Sequence, residues 1–392
     1  MALLTAARPD PKPGSRTPRA IAMVRRWCVV ALLALAGSTC PAARSGCAFD
    51  SGGFGDGEWV PAEVDPAEDV WLSARPDGGE ASKEWSLTRQ ALGAWKWKAQ
   101  CDLCAMSPPA SLGTPEQICS VFASTGVMSL FIVGDSTTSN FVQALYKRVG
   151  ATIMSTAMVG KKRIVEIRSG CNGTLKTLFA RDDTFLSGNL VVDAKMCTEL
   201  RRHGLIESEC MVEKDDNVKV YWPEQLAPRF SATIANVGAH LKNSEDFSRA
   251  MKRLDDAVAA MPRNATFLFR GLYTPIYNCQ RQYLAGPASV ELRAELEATM
   301  PEILRKQYAW FSLAKFNEIA NKTIALLGPN VALLDLARLT TPRVDLHPQS
   351  DCLHWRPLRH SDVGVFKWWI TLLVDYLRVM RPTNMELLTT AR

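Results

Sequence analysis

From about residue 128 the chain alternates short apolar runs with longer stretches of helical periodicity. The runs are SLFIVG (129–134), VKVYW (218–222), ATIANVG (232–238), ATFLFRG (265–271) and VALLDL (331–336). They are rich in β-branched or aromatic side chains and bounded by Gly, Pro or Asn, which marks strands. Runs apolar on both faces suit the interior of a parallel sheet. Between them, EDFSRAMKRLDDAVAAM (245–261) repeats apolar residues every three or four positions, as does 290–327, interrupted by Pro301. A last helix is predicted over about 363–380, with Phe366, Trp369, Ile370, Leu373 and Leu377 on one side. Strands alternating with helices predict an α/β fold with helices on both faces of the sheet.

The first part of the chain reads differently. Arg25-Arg26 precede the apolar stretch WCVVALLALAG, and small residues follow in STCPAAR. A basic flank, a short apolar core and small residues describe a signal peptide, or a type II signal anchor if it stays uncut. The stretch is shorter than the roughly 20 residues of an ordinary membrane span. Residues 1–46 are therefore read as signal or anchor plus linker, and either reading sends the chain into the secretory pathway. Residues 47–120, rich in Gly, Pro, Asp and Trp with little periodicity, are expected to be an irregular segment held by disulfides. Residues 121–385 form the expected α/β domain.

Composition fits this division. The chain has 392 residues, 47% hydrophobic and 22% charged, with a formal net charge of +6. Much of the basic excess lies in the first 26 residues, and no later basic run is dense enough to predict nucleic-acid binding. The 11 cysteines suit an oxidising compartment. Cleavage after Ala43 would remove Cys40 and leave an odd number beyond Cys28. CDLC (101–104) has no second CxxC and no suitable histidine cluster, so disulfides are expected there rather than zinc. Sequons at Asn172, Asn264 and Asn321 agree with a lumenal protein.

The candidate chemistry begins in FIVGDSTTSNF (131–141). Ligands of an open parallel sheet bind beyond the carboxyl ends of its strands. Ser136 stands at such an end, before a helix predicted from about Ser139, whose amino end would favour a developing negative charge. Ser136 is either a nucleophile or a helix cap, because Asp and Ser are both good caps. In DLHPQSDCLHWRP (345–357), Asp351 and His354 are three apart, a spacing that lets the side chains meet on one helical turn. Asp351 can accept the Nδ1 proton of His354 and leave Nε2 to take a proton from Ser136, the logic of a Ser-His-Asp triad. The alternative is a surface ion pair; His347 and His360 are rival bases. Asn236, at the end of ATIAN, is a candidate oxyanion donor or a turn residue before Gly238. His240 is a candidate substrate contact or a loop lining, and Trp355 a candidate sugar platform, although most of the 11 tryptophans are expected in the core.

GDS after a strand, N-x-G-x-H at a strand end and a late D-C-x-H-W together resemble the PC-esterase and trichome-birefringence-like family of the SGNH superfamily. The N-terminal pattern of Cys47, Gly57-Glu58-Trp59-Val60, Trp95, Trp97 and Cys101 is similar to that family, as is RVDLHP from Arg343 to Pro348. The resemblance implies a flavodoxin-like, three-layer α/β/α core with Ser136, His354 and Asp351 as triad. It implies an O-acetyltransferase of carbohydrate hydroxyls in the Golgi lumen, or secreted. Acetyl-CoA or another acetylated donor is the implied co-substrate, with no bound cofactor and no metal. Gly170 and Gly173 are candidates for the family's oxyanion glycine, and Arg343 joins His240 and Trp355 as a candidate substrate contact. Ser139 stands where plant members carry Arg, and Arg356 where they often carry Cys. A carbohydrate O-acetyl esterase of the same fold and an inactive carbohydrate-binding protein are the alternatives, and a monomer is expected.

Overall fold

The structure is a computed structural model that describes residues 57–61, 95–99, 114–159, 162–207, 217–272, 290–299, 301–302, 312–341, 347, 353–355 and 365–380. The leader, most of 47–120, Arg343, Asp351 and His360 lie outside the described residues.

β1 (Gly57–Pro61) and β2 (Trp95–Ala99) pair antiparallel, with Trp59 opposite Trp97. α1 (Pro115–Ser124) opens with a capping box: Gln117 N–H donates to the Thr114 hydroxyl, and Thr114 N–H donates to the Gln117 side chain. β3 (Ser129–Gly134) follows and leads into α2 (Ser136–Arg148). β4 (Thr152–Val159), β5 (Lys162–Gly170) and β6 (Leu175–Arg181) form a meander. β7 (Asn189–Asp193), α3 (Ala194–Arg202), β8 (Asn217–Tyr221) and α4 (Trp222–Gln225) come next. The chain continues through β9 (Ala232–Asn236), α5 (Ser244–Ala260), β10 (Thr266–Arg270), α6 (Val290–Ala298) and α7 (Leu313–Leu327). It then forms β11 (Val331–Leu334), α8 (Ala337–Thr340) and α9 (Val365–Met380).

The central sheet has seven strands in the order β11-β10-β9-β3-β6-β5-β4. From β11 to β6 neighbours are parallel, whereas β5 and β4 run antiparallel. The fold is thus α/β with a mostly parallel sheet. Side chains of β3 alternate between two cores. Phe131 and Val133 pack with Met196 of α3, Phe247 of α5 and Phe316 of α7. Leu130 and Ile132 pack with Ile118 of α1, Phe141 of α2 and Trp369 of α9. Both faces of the sheet are therefore covered by helices.

Four predicted runs became parallel strands; VKVYW did not. It is β8, which pairs antiparallel with β7 in a separate ribbon. Val218 and Val220 are buried while Lys219 is exposed, the alternation of a strand wetted on one face. The fifth parallel strand is β6, and the antiparallel pair β4 and β5 was not expected. α2 starts three residues earlier than predicted, because Asp135 caps it. α6 ends before Pro301, as the break in periodicity requires. Among the described residues no helix is long and apolar enough to cross a membrane.

Candidate active site

β3 is buried from Leu130 to Gly134 and carries the chain into the interior before releasing it at Asp135. Asp135 is extended (φ −81°, ψ −166°) and caps α2: its Oδ1 accepts from Thr137 N–H at 2.9 Å and from the Thr137 hydroxyl at 2.6 Å. The cap is thus Asp135, and Ser136 is the first helical residue. Its Oγ lies 3.0 Å from Nε2 of His354, which is 218 residues away in the chain. Ser136 and His354 are both half-buried. The first N–H groups of α2 have no intrahelical acceptor and carry the positive end of the helix dipole to the same place. Gly134 makes the approach possible. A Cβ there would lie 2.3 Å from Oγ1 of Thr138 and 2.8 Å from the carbonyl oxygen of Asn236.

A buried polar network underlies this turn. Arg270, the last residue of β10, is wholly buried, and its Nη2 donates to Oγ1 of Thr137 (2.6 Å), Oγ1 of Thr138 (3.1 Å) and Oδ1 of Asn236 (2.6 Å). Its guanidinium stands 4.8 Å from the centroid of the Trp369 ring on α9, a cation–π contact. The Thr137 hydroxyl receives from Arg270 and donates to Asp135, so one hydroxyl joins a buried cation to a buried carboxylate. Nδ2 of Asn236 donates to the Arg270 carbonyl oxygen at 2.7 Å. Sequence reasoning missed Arg270; the signal was a charged residue closing the apolar run ATFLF.

The expected site residues divide clearly. Ser136 and His354 are brought together. Asn236 is beside the turn but has zero exposure, and its amide ties β9 to Arg270 and α2 instead of facing a ligand. His347, the rival base, is buried; its Nδ1–H donates to the backbone carbonyl of His354 at 2.6 Å. Its ring stacks on Trp355 at 4.0 Å, and Trp355 is 1% exposed, so Trp355 offers no face to a sugar and instead braces the histidine segment. Gly170 is not brought to Ser136. It pairs with Leu175, whose neighbour Lys176 pairs with Ser129 at the amino end of β3. That is the opposite end of the sheet, five strand positions from Gly134 or roughly 17 Å. Gly173 lies in the turn beyond it.

His240 follows β9, and beside it a cluster outside the sequence reading appears. Asp182 N–H donates to the Gly134 carbonyl at 3.1 Å, and its Oδ1 accepts from the N–H groups of Thr184 and Phe185. Burial raises the Asp182 pKa above the ordinary carboxylate value. Asp183 is held by Arg181 through Nε at 2.8 Å and Nη2 at 3.1 Å. Nε2 of His240 is 4.0 Å from Oδ1 of Asp183. Among the described residues no group of three His, Cys, Asp or Glu is arranged to hold a metal ion.

No family model matches the chain, and no curated protein matches it. Among solved structures, an ADP-ribosylation-factor-like GTP-binding protein (small COPII coat GTPase SAR1) from Encephalitozoon cuniculi, in complex with GDP, is similar. The alignment has 14% identity and a TM-score of 0.29, covering 67% of this chain and 87% of that one. A likeness of that size carries no inference about chemistry.

Proposed function

We propose that the chain is a serine-dependent acyltransferase of the SGNH type that moves acetyl groups onto carbohydrate hydroxyls. The observation that carries the acyl-transfer chemistry is the 3.0 Å contact between Nε2 of His354 and Oγ of Ser136 at the amino end of α2. Acetyl and carbohydrate come from the resemblance of GDS, NVGAH and DCLHW to the PC-esterase and trichome-birefringence-like family.

In the proposed reaction Nε2 of His354 takes the Ser136 hydroxyl proton while Oγ bonds to the acyl carbon of the donor. The backbone N–H of Ser136, at the start of α2, receives the oxyanion, while that of Thr137 is taken by Asp135. Collapse expels the leaving group, which takes the proton from His354, and leaves acyl-Ser136. A sugar hydroxyl then attacks in the same way and restores the free serine. Asp351 is the proposed partner of His354 Nδ1; it belongs to the DCLHW resemblance and lies outside the described residues. Asn236, expected as an oxyanion donor, takes the role of support for the turn.

Esterase activity is the second reading, favoured by one observation: Ser136 and His354 are both partly exposed, and transfer to a sugar requires water to be kept out. A fluorophosphonate tests the shared chemistry, because it labels Ser136 only if the histidine activates it. A labelled acetyl donor with oligosaccharide then separates the readings: a transferase leaves label on the sugar, an esterase releases it as acetate. Absence of labelling in the wild-type protein rejects both and leaves an inactive binding protein.

A further inference from the structure

The strand order sets β6 and β9 on either side of β3, one strand spacing of about 4.8 Å away on each side. Gly134 is in register with Arg181 of β6 and Asn236 of β9. The segments leaving these strands therefore rise on both sides of Ser136, and they approach each other: Oδ1 of Asp183 is 4.0 Å from Nε2 of His240. That gap is too long for a direct hydrogen bond and short enough for one oxygen atom to bridge. Nε2 of His240 is a buried nitrogen without a hydrogen-bond partner, on a side chain that is 29% exposed and faces an Asp183 that is 34% exposed. Two partly exposed side chains thus hold an unpartnered ring nitrogen and a carboxylate oxygen facing each other.

Both arms are fixed in place. Arg181 grips the Asp183 carboxylate through two nitrogens, and the preceding residue is tied to the carbonyl of Gly134. The loop beyond is anchored by Phe185, which is buried against Trp222 at 5.1 Å with a left-handed φ of 57°, a conformation that tertiary packing must hold. On the other arm, Gly238 has a φ of +155°, which side chains rarely adopt, and a Cβ there would lie 2.3 Å from the Leu272 side chain and push it aside.

We propose that the gap between Asp183 and His240 is a hydroxyl subsite for the acyl acceptor. A substrate hydroxyl donates to the Asp183 carboxylate and accepts from Nε2–H of His240. The inference rests on the acyl-transfer reading above and specifies its acceptor as a vicinal diol, the unit a sugar ring supplies. With one hydroxyl seated, its neighbour faces the acyl carbon on Ser136. The neighbouring oxygen bonds to that carbon, the bond from carbon to Oγ breaks, and the hydroxyl proton passes to His354 and then to Oγ. The seated diol also displaces the water that would otherwise hydrolyse the acyl-enzyme.

The test uses the full chain with p-nitrophenyl acetate as donor and methyl glucoside as acceptor, and measures acetylated glucoside against free acetate. The ratio is taken within each protein, so a smaller folded fraction cancels. The wild type is expected to acetylate the glucoside. Asp183→Ala and His240→Ala are each expected to lower the ratio by about tenfold or more, the effect of losing one charge-assisted hydrogen bond. His240→Gln, which keeps an N–H near the same position, is expected to recover part of it. Equal ratios in the wild type and both alanine variants overturn the subsite, as does a wild type that releases only acetate. Failure of a fluorophosphonate to label Ser136 is a separate readout and overturns the acyl-transfer reading together with the subsite built on it.

Discussion

The two ends of β3 are built in opposite ways. At the amino end the ties are covalent or simple: a disulfide joins Cys119 of α1 to Cys171 in the turn after β5, and Ser129 and Ser231 exchange backbone and hydroxyl hydrogen bonds. At the carboxyl end the interior holds Asp135, Thr137, Thr138, Asn236 and Arg270, all buried and linked by hydrogen bonds. Burying such groups is costly unless every one finds a partner. The sheet therefore keeps its unfavourable chemistry at one end and its reinforcement at the other. Stability and labelling at Ser136 should therefore respond to different substitutions.

The largest expected effect is on reactivity alone. Ser136→Ala should reduce acyl turnover by about a thousandfold or more while the unfolding midpoint stays at the wild-type value. His354→Asn should do nearly the same. Unchanged turnover in either variant removes the carboxyl end from the chemistry. Next, replacing Cys119 and Cys171 by Ala opens a loop with a sequence separation of 52 and should cost about 4 kcal/mol in urea unfolding. Fluorophosphonate labelling of the folded fraction should proceed at the wild-type rate, and a slowed rate would mean that the two ends are coupled. Arg270→Met should cost about 3 kcal/mol and, unlike the cysteine change, slow labelling as well, because it removes the donor that holds Thr137, Thr138 and Asn236.

A pair of glycines sharpens the contrast further. Gly134→Ala should cost about 1–3 kcal/mol and slow labelling, since its Cβ meets Thr138 and Asn236 beneath Ser136. Gly170→Ala meets Val149 at 2.8 Å, so it should lower stability and leave labelling alone. A labelling defect in Gly170→Ala would return that residue to the oxyanion site. The smallest effect concerns Asp182. Burial raises its folded pKa, so the folded state holds the proton to higher pH than the unfolded chain does. Its contribution is full below the ordinary carboxylate value and is lost as pH rises through the raised one. Asp182→Asn should remove that slope, read as the difference between wild-type and variant unfolding midpoints over about pH 3 to 7. An unaltered slope would contradict the assignment.

What was legible in the sequence follows these physical differences. Strands buried on both faces announced themselves as unbroken apolar runs, so β3, β9, β10 and β11 were readable. β6 was not, because Lys176 and Thr177 interrupt its pattern. The Lys176 ammonium reaches the carbonyl oxygen of His203, and the Thr177 hydroxyl that of Arg168, which only the folded neighbours explain. β8 was misread because VKVYW looks as apolar as a core strand until the exposure of Lys219 is known. At the site, Ser136 and His354 were visible as residue types in telling positions. Arg270 was not, since a charge closing an apolar run reads as a strand leaving the core. Of the two readings of Ser136, the cap is taken by Asp135, which leaves Ser136 as the first helical residue with its hydroxyl against His354.

The Arg270–Trp369 contact has a consequence for the order in which the interior can be completed. A ribosome emits Ser136 long before Arg270, and Arg270 well before the aromatic ring that covers its guanidinium. His354 also emerges 218 residues after the serine it faces. A nascent chain thus releases Ser136, Arg270 and His354 in turn before the ring that completes the cation–π contact, so the interior beneath Ser136 is closed last.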